Sequence, residues 1–598
     1  MKHVNPKENP MNRIPFLSLV LFTVLALASC RTEPKEATVD FKRTSDTVVV
    51  RQEVEPDRIN PILSTSSYSR AVFERVGSLL EEIDPYTLEY MPLLLTGAPD
   101  MSTLEDGPYA GGVAYDMEIR PEAVWDNGSP VTGEDVAFTY KAALNPLVQA
   151  PVYRAYVSVI KDVQIDENNP KKFRVIAFPQ NIISRGIITN TITILPKYKY
   201  DADGLLDEFT IAELGDRAND ERLKTEEKLI AFAEYFNAPE TSTSPDRIAG
   251  CGPYKLVEWQ QGERLVLEKK SDWWGEALAE DNPQLAAHPE AIVYVPIESP
   301  ATAMQALRAE EVDVMRSIPA NEFVELKDDP FVTERYNLYS PPSMTYYFIS
   351  VNSTDPLLAD KQVRQAIAHT VNVQEIIDNL YAGMGDRIAS PVYKEFEYYN
   401  DELQPVPFDI ERAQELLSEA GWEDTNDNGI VDKEIDGERR ELSLQYNFTA
   451  ASETSRNIAL LLQDNAQKAG IDIQPNGVEP REGFRLMNAL DYQLASAGST
   501  STLDWYPKQS WHTQGNNRTG FGNADTDALI DAITTTLDTE KRYEMYRELQ
   551  EIIYDEMVNI FLFIPRERMA VHKRFEMEPF ELAPGFNPQF FDLKESLQ

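Results

Sequence analysis

The sequence predicts an α/β protein of several domains, and three observations carry that prediction. From about residue 45 onward, short β-rich runs alternate with segments of helical periodicity, the pattern of sheets covered by helices. The 598 residues are several times the ~150 of an average domain. Hydrophobic residues make up 42% and aromatics 10%, which is ample for sizeable cores and excludes a largely disordered chain. No internal repeat or low-complexity tract interrupts the pattern.

The elements follow in order. Thr47-Val48-Val49-Val50 opens the folded part as a strand. Ser67 to Leu80 places Val72, Val76, Leu79 and Leu80 at helical spacing. Asp126-Asn127-Gly128-Ser129-Pro130 reads as a turn, with Asn-Gly able to take positive φ. Thr132 then caps a helix through Tyr140, and Asp135 supplies the acidic partner of a capping box. An acidic helix is expected over about Asp220 to Phe236. Amphipathic helices are expected over Val363 to Tyr381 and over Ile410 to Leu417, the latter stopped at Ala420-Gly421 by a left-handed glycine. Lys541 to Asp555 is a further helix, and Ile560 to Ile564 a short buried strand.

Before the folded part, Lys2, Lys7 and Arg13 precede the apolar run Ile14 to Ala28. That run is shorter than the ~20 residues of a comfortable membrane span and has the proportions of a secretory signal peptide. It ends in Leu27-Ala28-Ser29-Cys30, which resembles a bacterial lipobox. Small residues there let a peptidase bind the extended chain, and the Cys30 thiol is the atom that takes the lipid. The alternative is a plain secretory leader with a chance cysteine, and Met11 is an alternative start. Residues 1–29 are therefore expected to be a lipoprotein signal peptide and 30–44 a lipidated polar tether. The remainder is expected in the cell envelope, held to a membrane by acyl chains and facing the periplasm or the exterior.

Charge and residue counts narrow the chemistry. Lys and Arg number 56 against 99 Asp and Glu, a formal net charge of −43. Such a surface repels phosphate backbones and anionic headgroups, so neither nucleic acid nor a bare lipid surface is expected as partner. Loss of the leader makes the chain more acidic still. Two cysteines exclude a disulfide framework, and with Cys30 lipidated, Cys251 reads as a small buried apolar residue. His288, His369, His512 and His572 lack the i, i+4 spacing of a helical metal site. There is no Gly-rich phosphate loop and no Gly-x-Ser-x-Gly elbow. No cofactor, metal or catalytic residue is assigned. Asp424-Thr425-Asn426-Asp427-Asn428-Gly429 imitates the first half of a calcium loop, but position twelve is Ile435, without the bidentate carboxylate; the same letters spell a polar turn.

Six segments in register carry a family resemblance. They are Ile119 to Val136, with Arg120-Pro121-Glu122-Ala123-Val124-Trp125 leading into the turn and cap; Cys251-Gly252-Pro253-Tyr254-Lys255-Leu256 with Trp273-Trp274; Ala306 to Asp313; Asp360 to Ala368 with Asn372; Ala413 to Trp422; and Gly520 to Asp527. Together they resemble the extracellular solute-binding proteins of family 5, the peptide- and nickel-type binding components of ABC importers, across about residues 45 to 580. Family members usually have Thr where Cys251 stands. Trp125, Pro253, Tyr254 and Trp259 are expected to pack and turn the chain rather than touch ligand.

The resemblance implies a two-lobed periplasmic-binding-protein-like fold, type II in its large form with an inserted subdomain, and a ligand cleft between the lobes. The first lobe maps to 45–70, 235–298 and 560–598, its inserted subdomain to 71–234, and the second lobe to 299–559. Hinge closure on a ligand that touches both lobes then signals to a membrane permease. The implied activity is capture of oligopeptides by a monomer, with no bond made or broken. In peptide-binding relatives an acidic residue late in the second lobe holds the α-ammonium; the matching residue is Asp504 in Ser501-Thr502-Leu503-Asp504-Trp505-Tyr506-Pro507, unless it merely caps a turn. Trp505 and Trp511 are candidate pocket walls, and Ser64, Thr65 and Ser66 a ligand-contacting segment of the first lobe. Peptide binders often carry an Arg shortly before that Asp, whereas this chain reads Ala495-Ser496-Ala497-Gly498. Other readings stay open: a sugar binder using Trp505 and Trp511 as platforms, a metal-chelate binder using His369 or His512, a peptide sensor without import, and a secreted lipoprotein hydrolase using a carboxylate pair.

Overall fold

Thr47–Gln52 is buried along its whole length and sits mid-sheet, parallel to Ala291–Pro296. A continuous β-branched run suits that place because both of its faces are covered. The structure, a computed structural model, describes residues 44–594; the expected leader, Cys30 and nearly all of the tether lie outside the described residues. The first sheet has seven strands, in the order Tyr336–Tyr339, Met569–His572, Val314–Met315, Thr47–Gln52, Ala291–Pro296, Arg264–Lys269, Tyr254–Gln260. The helix Ser67–Val76 packs Val72, Phe73 and Val76 against it. The helix stops at Val76 rather than Leu80, because the glycines of the Cys251 segment close on its end: a Cβ on Gly250 would lie 2.1 Å from the Val76 carbonyl oxygen, and one on Gly252 2.4 Å from that of Gly77.

An antiparallel sheet of four strands (Asp100–Thr103, Val113–Glu118, Lys172–Ala177, Ile160–Ile165) is inserted in this body with its own core. The helix Gly133–Leu144 contributes Val136, Phe138 and Tyr140 to that core, and its start carries the expected capping box between Thr132 and Asp135. Gly128 takes φ of +80° in the preceding turn. Trp125 is buried, and its Nε1 donates to Asp135 Oδ2 at 3.2 Å, which makes it a packing residue as expected. In place of one helix over 220–236 there are two, Asp220–Leu223 and Glu227–Asn237.

The second sheet has six strands, in the order Gly385–Arg387, Asn559–Pro565, Thr345–Val351, Leu494–Thr500, Ser443–Thr449, Asp472–Val478. Lys361–His369 and Val373–Leu380 cover it with Ile410–Glu419 and Glu453–Lys468. The single helix expected over 363–381 is broken because the Asn372 side chain accepts from the Glu375 amide and starts a new helix. Gly421 has φ of +81° after Ile410–Glu419, the left-handed stop read from the sequence.

The chain passes between the two large sheets at 340–344 and returns at 566–568. The crossings pair with each other: Pro342 bridges Arg566, the Glu567 amide donates to the Pro341 carbonyl at 2.8 Å, and the Ser343 amide to that of Pro565 at 3.2 Å. Sheet membership therefore changes hands at points other than those expected. Val314–Met315 and Tyr336–Tyr339, placed in the second lobe, pair in the first sheet with Met569–His572. Asn559–Pro565, placed in the first, pairs with Thr345–Val351 in the second. Among the described residues no helix is long and apolar enough to cross a membrane.

Candidate functional site

The loop that follows Leu494–Thr500 is held by its main chain. Ser501 Oγ donates to the Pro391 carbonyl at 2.9 Å. Tyr398 Oη lies 2.9 and 3.1 Å from the carbonyl oxygens of Thr502 and Leu503, and Tyr546 Oη donates to that of Trp505. Grasping the loop by its carbonyls leaves the side chain of Asp504 to do something other than fold the loop.

Asp504 reaches the other body. Tyr90, on the strand Tyr90–Pro92, donates its hydroxyl to Asp504 Oδ2 at 2.7 Å. The Arg185 guanidinium lies 4.6 Å from the centre of the Tyr90 ring, a cation–π contact. Arg185 also grips the fully buried carboxylate of Glu81 with two hydrogen bonds, of 3.0 Å from Nε and 2.8 Å from Nη2. Gly186 leaves room for this assembly: a Cβ there would lie 2.6 Å from the Tyr90 hydroxyl and 3.6 Å from Asp504 Oδ2. Burial pushes the Asp504 carboxyl above the ordinary aspartate value, against the pull of the Tyr90 hydroxyl, Arg542 and Arg185. Burial, with the Asp504 charge beside it, also pushes the Tyr90 phenol well up. Asp504 Oδ1 accepts no hydrogen bond from any described residue.

Asp504 lines a cavity of about 440 Å³ between the two bodies, with Tyr90, Tyr156 and Ile183 on one side and Tyr398 and Trp505 on the other. A second cavity of about 490 Å³ lies on the second body alone, along Ser496 to Ser499. The two share Tyr346, Ser499, Gln509, Ser510 and Trp511 and so form one cleft.

Trp505 and Trp511 meet edge to face, with ring centres 5.5 Å apart at 76°. Trp511 Nε1 also donates to Asn559 Oδ1 at 3.1 Å. At 9% and 5% exposed they form part of the cleft wall and offer no open stacking face. Ser64, Thr65 and Ser66 line neither cavity, and the structure does not bring them to Asp504. Ser64 is 1% exposed and donates its hydroxyl to Asp57 at 2.5 Å. His369 and His512 line neither cavity either; His369 Nδ1 is 2.9 Å from the Pro407 carbonyl, and buried His512 sits between Asp527 and Asp531. No group of three or more metal-ligating side chains occurs among the described residues. In the calcium-like loop, Asp424 accepts from the amides of Asn428 and Gly429, and Asp432 from Thr425 and Arg439. Cys251 is buried, which pushes its thiol up to about 12. Tyr90, Arg185 and Gly186 belong to none of the motifs, and no spacing in the sequence singles them out.

A profile of the family described as Bacterial extracellular solute-binding proteins, family 5 Middle, matches residues 108–521. The oligopeptide-binding protein AppA of Bacillus subtilis is 23% identical over 577 residues, 94% of each chain. Its structure in complex with a nonapeptide superimposes with a TM-score of 0.64 at 21% identity, covering 92% of this chain and 99% of that one. NikA from Brucella suis in complex with Fe(III)-EDTA gives 0.70 at 19% identity over 92% and 100%. DppA from Helicobacter pylori with the peptide STSA gives 0.63 at 19% over 92% and 98%. The fold is thus the two-lobed α/β fold of periplasmic binding proteins, with the cleft between its lobes.

Proposed function

The chain belongs to the bacterial extracellular solute-binding proteins of family 5, and on that premise we propose that it captures oligopeptides and delivers them to an ABC permease. As a member of that family it is a transport binding protein and not an enzyme. The observation that carries the peptide reading is the state of Asp504. Its carboxylate lines the interlobe cavity with one oxygen held by Tyr90 and the other without a donor. A peptide α-ammonium supplies the missing donor and the opposite charge, and in a closed cleft that pairing is stronger than in water. Trp505 and Trp511 would then wall the first side-chain positions of the ligand. The relatives named for oligopeptides agree with this reading. A chelate held by His369 or His512 and a sugar stacked on open tryptophan faces fit the cleft less well, since those histidines lie off it and those rings are buried.

Attachment through lipid on Cys30, a monomeric state and partnership with a permease belong to the same proposal. Replacing Cys30 with Ser should release the protein from membranes; a variant that stays membrane-bound would refute the anchor. Native mass spectrometry of the purified protein should find peptides carried from the expression host. Asp504→Asn should weaken a bound peptide about 100-fold, the loss expected for a charged hydrogen bond. Equal binding of an N-acetylated peptide would overturn the ammonium role.

A further inference from the structure

Two segments of the first lobe reach across the cleft and bond to the second lobe without any ligand. The first is residues 180–182, just before the helix Ser184–Thr189 that carries Arg185 and Gly186. The Ile182 amide donates to the Thr534 carbonyl at 2.9 Å, and Gln180 Nε2 to that of Thr535 at 2.6 Å. Those carbonyls end the helix Ala524–Thr535, where no amide of the helix itself can reach them. The first lobe thus caps a helix of the second.

The second segment is residues 577–586, an excursion between two short paired strands of the first lobe, Phe575–Glu576 and Asp592–Leu593. Tyr86 steadies it from the turn of the hairpin whose second strand carries Tyr90. The Tyr86 hydroxyl donates to the Glu578 carbonyl at 3.0 Å, and its ring meets Phe580 edge to face with centres 5.7 Å apart. The Phe580 amide bonds back to the Gly585 carbonyl at 3.1 Å, which closes the excursion into a loop. At its tip Leu582 packs against the cluster that holds Tyr393, Tyr398 and Trp505, and the Tyr393 hydroxyl donates to the Glu581 carboxylate. Tyr393 is fully buried, and among the described residues Glu581 makes no other hydrogen bond or ion pair.

Tyr393 stands beneath the Asp504 loop. Its neighbours Pro391 and Tyr398 hold that loop by the Pro391 carbonyl and the Tyr398 hydroxyl, and ring contacts run from Tyr393 through Phe396 to Tyr398 at 6.0 and 5.4 Å. The Glu581 bond therefore ties the support of Asp504 to the hairpin of Tyr90. We infer that residues 577–586 are a strap that latches the lobes together, with Glu581 as its positioning residue, so that the empty protein spends part of its time closed. Opening exchanges a charge-assisted hydrogen bond for water, which biases the pair towards closure. A ligand that needs the closed form then finds more of it, and leaves only when the latch opens. The latch consists of protein groups alone and does not depend on what the cleft holds.

The test reads closure in the ligand-free chain, stripped by unfolding and refolding. Spin labels are placed by Met101→Cys on the inserted sheet and Leu460→Cys on the helix Glu453–Lys468, both exposed positions. The background is Cys30→Ser, and the remaining thiol, Cys251, is buried. Pulsed electron resonance then resolves a short, closed distance from a longer, open one. With the strap intact both should be present. Glu581→Ala and Tyr393→Phe should each lower the closed-to-open ratio about tenfold. The double variant should lose no more than either, since both changes remove the same bond. Glu581→Gln keeps an acceptor and should recover part of the ratio, while the melting temperature moves little throughout. A ratio unchanged in Glu581→Ala, with or without a lowered melting temperature, overturns the latch. So does an intact strap with no closed population, or a double variant whose loss is the product of the single ones. The peptide reading stands or falls separately, on the acetylated peptide.

Discussion

Tyr90 donates its hydroxyl to Asp504 Oδ2 at 2.7 Å, although the two residues lie 414 positions apart in the chain. Tyr90 precedes the first crossing between the lobes and Asp504 lies between the crossings, so the bond exists only while the lobes are together. With the lobes together Tyr90 holds Oδ2, and the half-buried carboxylate keeps Oδ1 on the cleft without a donor among the described residues. On the proposed reading, a ligand ammonium would supply the donor for Oδ1 in the closed form. Such a difference in affinity between two states is what shifts their populations.

The Tyr90 bond should therefore contribute to binding. Tyr90→Phe removes the donor and is expected to weaken peptide binding about tenfold, near the low end for a hydrogen bond to a charged group. Gly186→Ala should act in the same direction, because its methyl would lie 2.6 Å from the Tyr90 hydroxyl and force the ring aside. Titration calorimetry checks both. Wild-type affinity in Tyr90→Phe would show that the bond is absent from the bound state.

Affinity should also depend on pH with a defined sign. The ammonium needs the carboxylate form of Asp504, whose pKa burial has raised. Affinity should stay level at neutral pH and fall as pH drops through that raised value, starting above the ordinary aspartate pKa of ~3.9. For one proton the limiting slope is about tenfold per pH unit. Asp504→Asn should be weak and flat across the same window, and a wild-type profile equally flat would show that Asp504 does not titrate against the ligand.

What could be read from the sequence was what neighbouring residues decide. The capping box of Thr132 and Asp135, the turn at Gly128 and the stop at Gly421 each depend on a few consecutive residues, and each formed as expected. The break at Asn372 was hidden because the apolar periodicity carries on across a cap that is equally local. The lobe crossings at 340–344 and 566–568 run directly on from strands, so nothing in their composition marks a boundary. Asp504 was singled out through resemblance, and it lines the interlobe cavity. Tyr90 and Arg185 were not, because their roles come from distant partners, Asp504 at 414 positions from Tyr90 and Glu81 at 104 from Arg185. Ser64 shows the opposite failure: its hydroxyl is taken by Asp57, a contact that a run of three polar residues cannot reveal.

Arg185 should matter for stability before it matters for binding. Glu81 is fully buried, and Arg185 is the cation that grips its carboxylate. Arg185→Ala leaves that charge unpaired, which is expected to cost about 3 kcal/mol, and also removes the cation–π contact on Tyr90. A lowered urea midpoint checks it. Glu81→Gln combined with Arg185→Ala should recover much of the loss, since the uncompensated charge is then gone.

Asp504 should behave oppositely, costing stability where it serves binding. Its folded-state pKa lies above the unfolded one, so the folded protein holds the proton more tightly. Stability is then lost as pH rises from the unfolded value through the folded one, and at neutral pH the ligand-free protein carries the cost of ionising a carboxyl partly withdrawn from water. Asn at this position keeps an acceptor for the Tyr90 hydroxyl and carries no charge. Ligand-free Asp504→Asn should therefore melt about 1 °C or more above the wild type at pH 7, with the gap closing in acid as the wild-type carboxyl protonates. Saturating peptide should reverse the order, because the ammonium then pairs with the charge that Asn lacks. Scanning calorimetry at two pH values, with and without peptide, reads all four melting temperatures. A variant less stable than the wild type without ligand would mean that the carboxylate holds the fold rather than waits for a cation.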